Sequence, residues 1–293
     1  MSSRILVSGP VSWNQLVVVD ALPDPRPHTV FATDSWETIG GTSAGKALTL
    51  GSLGCDVVLH TVVARDAVGE RIEATLARAA VTTVIEYGDG GSERHLNLMT
   101  PAGERVSIYL DTPVPRADRS RAVELALTAD VAVIDLAAAS LALLEPLTAA
   151  GIEIWTDIHD YDGQNPFHQP FIAAASYLFL NADGLGDPLE FMRSRIAEGA
   201  MLVVCTLGAE GAMAVDHDGV LHRVPAVPVE TIVDTNGAGD AFFAGYLAAH
   251  LDGASVDEAL AAGAAQASVA LGSRHLSPVL DAVLDEGHGA DPA

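Results

Sequence analysis

Short, almost wholly apolar runs recur along this chain at helix-length intervals, and that spacing constrains the fold more than any other feature. Ile5-Leu6-Val7-Ser8-Gly9 is followed by runs at 57–63, 131–134, 152–156, 177–180 and 201–205. A strand with one wet face alternates polar and apolar residues, whereas a strand covered on both faces reads as continuously apolar. Ala-rich stretches separate the runs, one of them predicted as a helix from about residue 66 to 79. The expected architecture is a mostly parallel central sheet with helices on both faces, a three-layer α/β/α sandwich.

Two segments break this rhythm. Residues 15–31 and 94–110 alternate apolar and polar side chains and carry turns such as Thr100-Pro101-Ala102-Gly103. Alternation implies one covered and one wet face. Such strands suit a small antiparallel flap over the main sheet, drawn from about 11–38 and 92–112. Residues 34–39 make a poor buried strand. No repeat or long linker divides the chain, so 1–293 is expected to be a single domain, with only 287–293 reading as disordered.

A formal net charge of −24 excludes whole classes of partner. Such a surface repels phosphates, so neither nucleic acid nor an anionic membrane is expected to bind. The apolar stretch 131–144 is broken by Asp135 and is too short to span a bilayer. The first ten residues lack a signal-peptide pattern, which leads to the expectation of a cytoplasmic, soluble protein. Cys55 and Cys205 lie beside apolar runs and read as reduced thiols. Lys46 is the sole lysine, every other basic side chain apart from histidine being Arg.

Chemistry concentrates in Asp234-Thr235-Asn236-Gly237-Ala238-Gly239-Asp240-Ala241-Phe242-Phe243-Ala244-Gly245. Two glycines around Ala238 at a helix start let backbone N–H groups converge into an anion hole, reinforced by the helix dipole. A carboxylate beside such a hole repels the anion and is odd as a binding device. Asp240 makes sense there as a base that takes a proton from a hydroxyl attacking a bound phosphoryl group. The plainer alternative is a Gly-rich turn with Asp240 as an ordinary helix-start residue.

This segment resembles the C-terminal signature of the ribokinase-like (PfkB) carbohydrate kinases, Asp-Thr-Thr-Gly-Ala-Gly-Asp-Ala-Phe followed by Gly, and departs from it only at Asn236. Gly40-Gly41-Thr42-Ser43-Ala44-Gly45-Lys46-Ala47, followed by Leu53-Gly54, is similar to the family's N-terminal signature. There an Asn commonly holds a sugar hydroxyl where this chain has Gly45. The same residues nearly match a phosphate-binding Gly-x4-Gly-Lys-[Ser/Thr] loop, but Ala47 has no hydroxyl for Mg²⁺. A dinucleotide fingerprint at Gly237 fails at Phe242.

The resemblance implies an ATP-dependent kinase of ribokinase-like fold with a β-flap lid. It implies ATP along Thr206, Gly208 and Gly211, with Asn181 helping to organise phosphates and Mg²⁺. The γ-phosphate would meet the Gly237, Ala238 and Gly239 backbone beside the base Asp240. Ser12, Asn14, Gly41, Gly45 and Lys46 would line the acceptor pocket, Lys46 either touching an anionic acceptor or standing solvated on its helix. Asp157, ahead of His159 and Asp160, would order metal-bound water. A monovalent cation and a homodimer formed through the lids are features the sequence leaves open. So are two other functions: a nucleoside kinase, with Trp13 stacking on the base, and a non-catalytic sugar or nucleotide sensor.

Overall fold

A computed structural model of the chain describes residues 3–101, 103–159 and 161–285. The expected disorder of 287–293 and the placement of Asp160 fall outside them. In chain order the elements begin with β1 (Arg4–Ser8), β2 (Ser12–Val18), β3 (Asp34–Gly40), α1 (Thr42–Ser52), β4 (Asp56–Val63), α2 (Ala67–Arg78) and β5 (Thr83–Tyr87). Then come β6 (Arg94–Met99), β7 (Arg105–Asp111), α3 (Ser120–Ala126), β8 (Val131–Ile134), α4 (Leu141–Ala150), β9 (Glu153–Asp157) and α5 (Gln169–Ala174). The rest are β10 (Tyr177–Asn181), α6 (Pro188–Ala197), β11 (Leu202–Thr206), β12 (Ala212–Asp216), β13 (Leu221–Val224), α7 (Ala238–Leu251), α8 (Val256–Ala270) and α9 (Asp281–Leu284).

Each apolar run became a strand of one nine-stranded sheet, ordered β13-β12-β11-β10-β9-β8-β1-β4-β5 and parallel from β11 to β5. Successive strand residues point to opposite faces, and both faces are covered. Ile5 and Val7 of β1 pack with α1, α2, α7 and α8, while Leu6 between them packs with α3, α4 and α5. Toward β12, Leu178, Leu180 and Val203 pack against Met192 of α6. Helix α7 is buried from Asp240 through Leu247 and apolar nearly all round, as a helix enclosed by others must be.

The alternating segments form a separate four-stranded sheet, β3-β2-β6-β7, the lid. Its hairpins β2–β3 and β6–β7 are antiparallel as expected, but they join through a parallel β2–β6 pairing, so the lid is a mixed sheet. Residues 34–39 do form a strand. They looked poor as a buried strand because Asp34, Ser35 and Glu37 are exposed on the lid. The alternation from residue 15 ends at Val18, and 19–33 form no strand. Among the described residues no helix is long and apolar enough to cross a membrane.

Candidate active site

Ligands in open parallel sheets bind beyond the carboxyl ends of the strands, at the point where strand order reverses. Here β1 lies between β8 and β4, and the chain builds outward from it in both directions, so the crevice opens at the ends of β1 and β8. Ser8 and Ile134 are register partners there, and Asp135 is the next residue. Asp157 ends β9, Asn181 ends β10 and Thr206 ends β11, which sets the polar residues of four adjacent strands along one edge.

Helix α7 brings Asp240 to this edge. Its N-cap is Gly237, at φ 79°, and no side chain caps the first turn. A Cβ at Gly237 would lie 2.4 Å from the Leu276 carbonyl oxygen, so this turn admits only glycine. A Cβ at Gly239 would meet nothing within 4 Å, which marks open space in front of the turn. Asp234 holds the approach with its Oδ1 accepting the Asn236 N–H at 2.9 Å, while its buried Oδ2 has no hydrogen-bond partner.

Opposite Asp240 stands Lys46 of α1. Its side chain has no exposure, and Nζ lies 2.9 Å from Asp240 Oδ1, 3.1 Å from Asp135 Oδ1 and 3.4 Å from Asp157 Oδ2. Ser43, one turn earlier on α1, donates its hydroxyl to Asp135 Oδ2 at 2.6 Å. His159, at φ 50°, donates its backbone N–H to Asp157 Oδ1 at 2.9 Å and brings Nδ1 to 3.4 Å from Asp157 Oδ2.

The electrostatics follow from burial opposed by these pairs. Burial works against the charge on Lys46, but Asp135, Asp240 and Asp157 outweigh it and hold the lysine pKa above its usual range. Burial raises Asp157 as well, yet His159 and Lys46 pull it well below the carboxylate norm. At Asp240 burial wins: Lys46 and His159 lower its pKa, Asp157 raises it, and the net value is pushed up to about 6. Burial lowers His159, and Asp157 more than compensates.

The remaining expected site residues fall into two groups. Ser12 and Asn14, both buried, pair at 2.7 Å on β2, and Gly40 and Gly41 press against that segment. A Cβ at Gly40 would sit 2.0 Å from Asn14 Nδ2, and one at Gly41 2.4 Å from the Pro10 carbonyl oxygen. The second group lies at the ends of β10 and β11. Asn181 and Thr206 are register partners, and the Asn181 N–H donates to the His159 carbonyl at 2.9 Å. Gly208–Glu210 forms a short turn closed by the Leu207 N–H to the Gly211 carbonyl at 2.8 Å. The same segment is the β11–β12 hairpin connection, the two strands pairing antiparallel from Leu202–Asp216 to Thr206–Ala212.

Two expectations change. Lys46 is neither solvated on its helix nor open to a passing anion, because three carboxylates occupy its ammonium. Trp13 is buried, with the Arg71 guanidinium 4.1 Å from its ring centroid, so that ring face is already taken. Asp135, Ser43 and Arg105 were not singled out by sequence. Arg105, at the β6–β7 hairpin, donates to Asn236 Oδ1 at 3.2 Å and ties the lid to the glycine turn. A signal for Asp135 did exist: a lone carboxylate directly after a buried strand, at the edge where such sheets bind ligands. Among the described residues, His275, Asp281 and Asp285 group their ligand atoms within 4.8 Å. They serve as a hydrogen-bond network: His275 bonds Thr38 and Asp285, and Ser273 bonds Asp281.

The family model for pfkB family carbohydrate kinases matches residues 14–282. The chain belongs to that family. It is therefore a sugar kinase, a phosphotransferase whose acceptor is a hydroxyl group. Over 266 residues it is 30% identical to the acarbose 7(IV)-phosphotransferase of an Actinoplanes species, covering 89% of each chain. Its fold superimposes on a microbiome-derived acarbose kinase with a TM-score of 0.83 at 28% identity, covering 95% of this chain and 98% of that one. An Arabidopsis thaliana ribokinase solved with ribose and ATP shares the fold, with a TM-score of 0.76 at 19% identity, over 95% of this chain and 96% of that one. The pfkB kinase thus has the ribokinase-like sandwich with its lid sheet.

Proposed function

We propose that this kinase transfers the γ-phosphoryl group of ATP to a hydroxyl of a neutral sugar or sugar-like acceptor, with Asp240 as the base. One observation carries the reading: a buried carboxylate stands in the uncapped first turn of α7, beside Gly239, which faces open space. The hydroxyl proton passes to Asp240 as the acceptor oxygen attacks the γ-phosphorus. The bond from that phosphorus to the ADP oxygen breaks, and ADP leaves. The Gly239 and Asp240 N–H groups face the charge that builds on the transferred group. ATP lies along the loop from Thr206 to Gly211, with Asn181 beside its phosphates.

Mg²⁺, if bound, would supply positive charge against the phosphate oxygens. Asp157 is turned toward Lys46 and His159, so its part is to order water around the ion rather than to ligate directly. The buried, unpartnered Asp234 Oδ2 fits a monovalent cation under the glycine turn. The Arg105–Asn236 contact fits a lid that closes over the acceptor and excludes water. The ATP requirement fits a cytoplasmic protein.

Acceptor class follows from charge. Lys46 is spent on three aspartates, and Asp157 and Asp240 remain at the site, so sugar acids and sugar phosphates are disfavoured. The covered ring of Trp13 speaks against a stacked nucleobase. The two most similar relatives reported above, at 30% and 28% identity, are named for acarbose, which makes acarbose-type oligosaccharides the first acceptors to try. Strand β7 exposes Val106, Ile108 and Leu110 at the lid edge, which supports a homodimer joined lid to lid; sedimentation velocity reads its mass directly.

A coupled ADP-release screen over neutral sugars, acarbose, sugar acids, sugar phosphates and nucleosides tests the reading. Turnover is expected with neutral or acarbose-type acceptors. Turnover confined to nucleosides or sugar acids would overturn the acceptor class, and ATP binding without turnover on any acceptor would favour a sensor.

A further inference from the structure

The sole lysine of a chain with net charge −24 is also one of its largest fully buried side chains among the described residues. An isolated buried lysine gives up its proton, because the charged form loses its water. Lys46 keeps its proton because three elements each deliver a carboxylate: Asp135 follows β8, Asp157 ends β9, and Asp240 lies in α7. The surrounding space is cut to this purpose. A Cβ at position 45 would lie 2.9 Å from both Asp240 Cβ and Asp240 Oδ2, so Gly45 lets α1 and Asp240 close on each other. A Cβ at Gly9 would meet Ser43 Oγ at 2.4 Å and Asp135 Cβ at 2.8 Å, so the far anchor is fitted as closely.

We propose that Lys46 is a positioning residue for phosphoryl transfer: its ammonium fixes Asp240 Oδ1 and leaves Oδ2 for the acceptor proton, while Asp135, held by Ser43, anchors the ammonium. The inference rests on the reading of Asp240 as the base. It accounts for the joint presence of Gly45 and Lys46, since a Cβ at 45 would press on Asp240 at 2.9 Å and shift the carboxylate that the ammonium holds. A second consequence concerns charge. Facing Asp240 are Lys46 from α1, and Asp157 and His159 from the end of β9, with Asp135 acting on it through Lys46. Removing the ammonium makes the Asp240 carboxylate harder to form. Removing Asp135 frees the ammonium for Asp240 and makes the carboxylate easier to form.

Two measurements test this. A protein labelled with ¹⁵N at lysine Nζ gives a single side-chain signal, since there is one lysine. That signal should be an ammonium still present above about pH 10, where a solvated lysine titrates. It should also move near pH 6 as Asp240 ionises, and Asp240→Asn should abolish that movement. A neutral-amine signal, or one indifferent to Asp240→Asn, would overturn the inference whether or not any Lys46 variant folds.

The second measurement is kcat against pH for wild type, Lys46→Met and Asp135→Asn. The acid limb should move up by about one pH unit or more in Lys46→Met and down in Asp135→Asn, with the ATP KM little changed in either. The plateau of Lys46→Met should fall by about 10²-fold, the scale for a reacting group displaced by roughly 1 Å. Loss of packing alone does not shift the two limbs in opposite directions, so unmoved limbs or limbs that move together would overturn the inference. Asp240→Asn separates the two levels of argument. If it keeps wild-type turnover, the base reading fails; if it is slow while the limbs stay fixed, only the role of Lys46 fails.

Discussion

Lys46 Nζ and Asp240 Oδ1 stand 2.9 Å apart, joining helices α1 and α7 across 194 residues of sequence. The pair is enclosed, so its two halves should have opposite effects on stability. Lys46→Met leaves buried carboxylates without their counter-ion and should cost about 3–5 kcal/mol, the range for breaking a buried pair from one side. Asp240→Asn removes a carboxylate whose ionised form burial disfavours. Its folded pKa of about 6 lies above the unfolded value, so Asp240 adds stability below about pH 4 that is lost as pH rises through about 6. The Asn variant should therefore melt above wild type at pH 8, and the gain should vanish near pH 4. Thermal melts at the two pH values check both.

Gly45 provides a sharper test, because α1 and Asp240 close on each other at that position. Gly45→Asn should lower activity, since its Cβ would arrive 2.9 Å from the Asp240 carboxylate. A loss of about 10²-fold in kcat is expected from moving the base by an ångström. Kinetics of this variant on the acceptor used for wild type check it; activity at or above wild type would mean that Asp240 tolerates the shift.

The glycine turn separates chemistry from folding. Gly239→Ala adds a methyl in open space, so the melting temperature should stay within a degree or two. That methyl stands where the phosphoryl group is to bind, and losing one such donor contact costs about 10²–10³ in kcat. Gly237→Ala is the reverse case: its φ of 79° and the Leu276 carbonyl 2.4 Å from the new Cβ should lower stability by roughly 1–3 kcal/mol. Equal losses of stability in both variants would make the turn merely structural.

Much of this was legible in the sequence, for identifiable reasons. The central strands were plain because burial on both faces leaves no polar residue to break the run, as in Val57-Val58-Leu59. The glycine turn and the place of Asp240 in the first turn of a helix were plain because a helix start is contiguous in sequence. The parallel β2–β6 pairing was not, since alternation reports a wet face and says nothing of strand direction. Nor was the Lys46 cluster. Its members Lys46, Asp135, Asp157 and Asp240 lie far apart in the chain, and only the sheet's carboxyl edge brings them together. Lys46 did carry a hint, in a helix of small and apolar residues that is buried all round from Ser43 to Leu50.

The account stands on Asp240 as the base that activates the acceptor hydroxyl. The most direct test is the kcat of Asp240→Asn for ADP release, measured with the acceptor that turns over fastest in wild type. General-base assistance contributes about 10²–10⁴-fold. A fall in that range or beyond, with the ATP KM unchanged and the variant folded, is the predicted result. A kcat within a few-fold of wild type would contradict it.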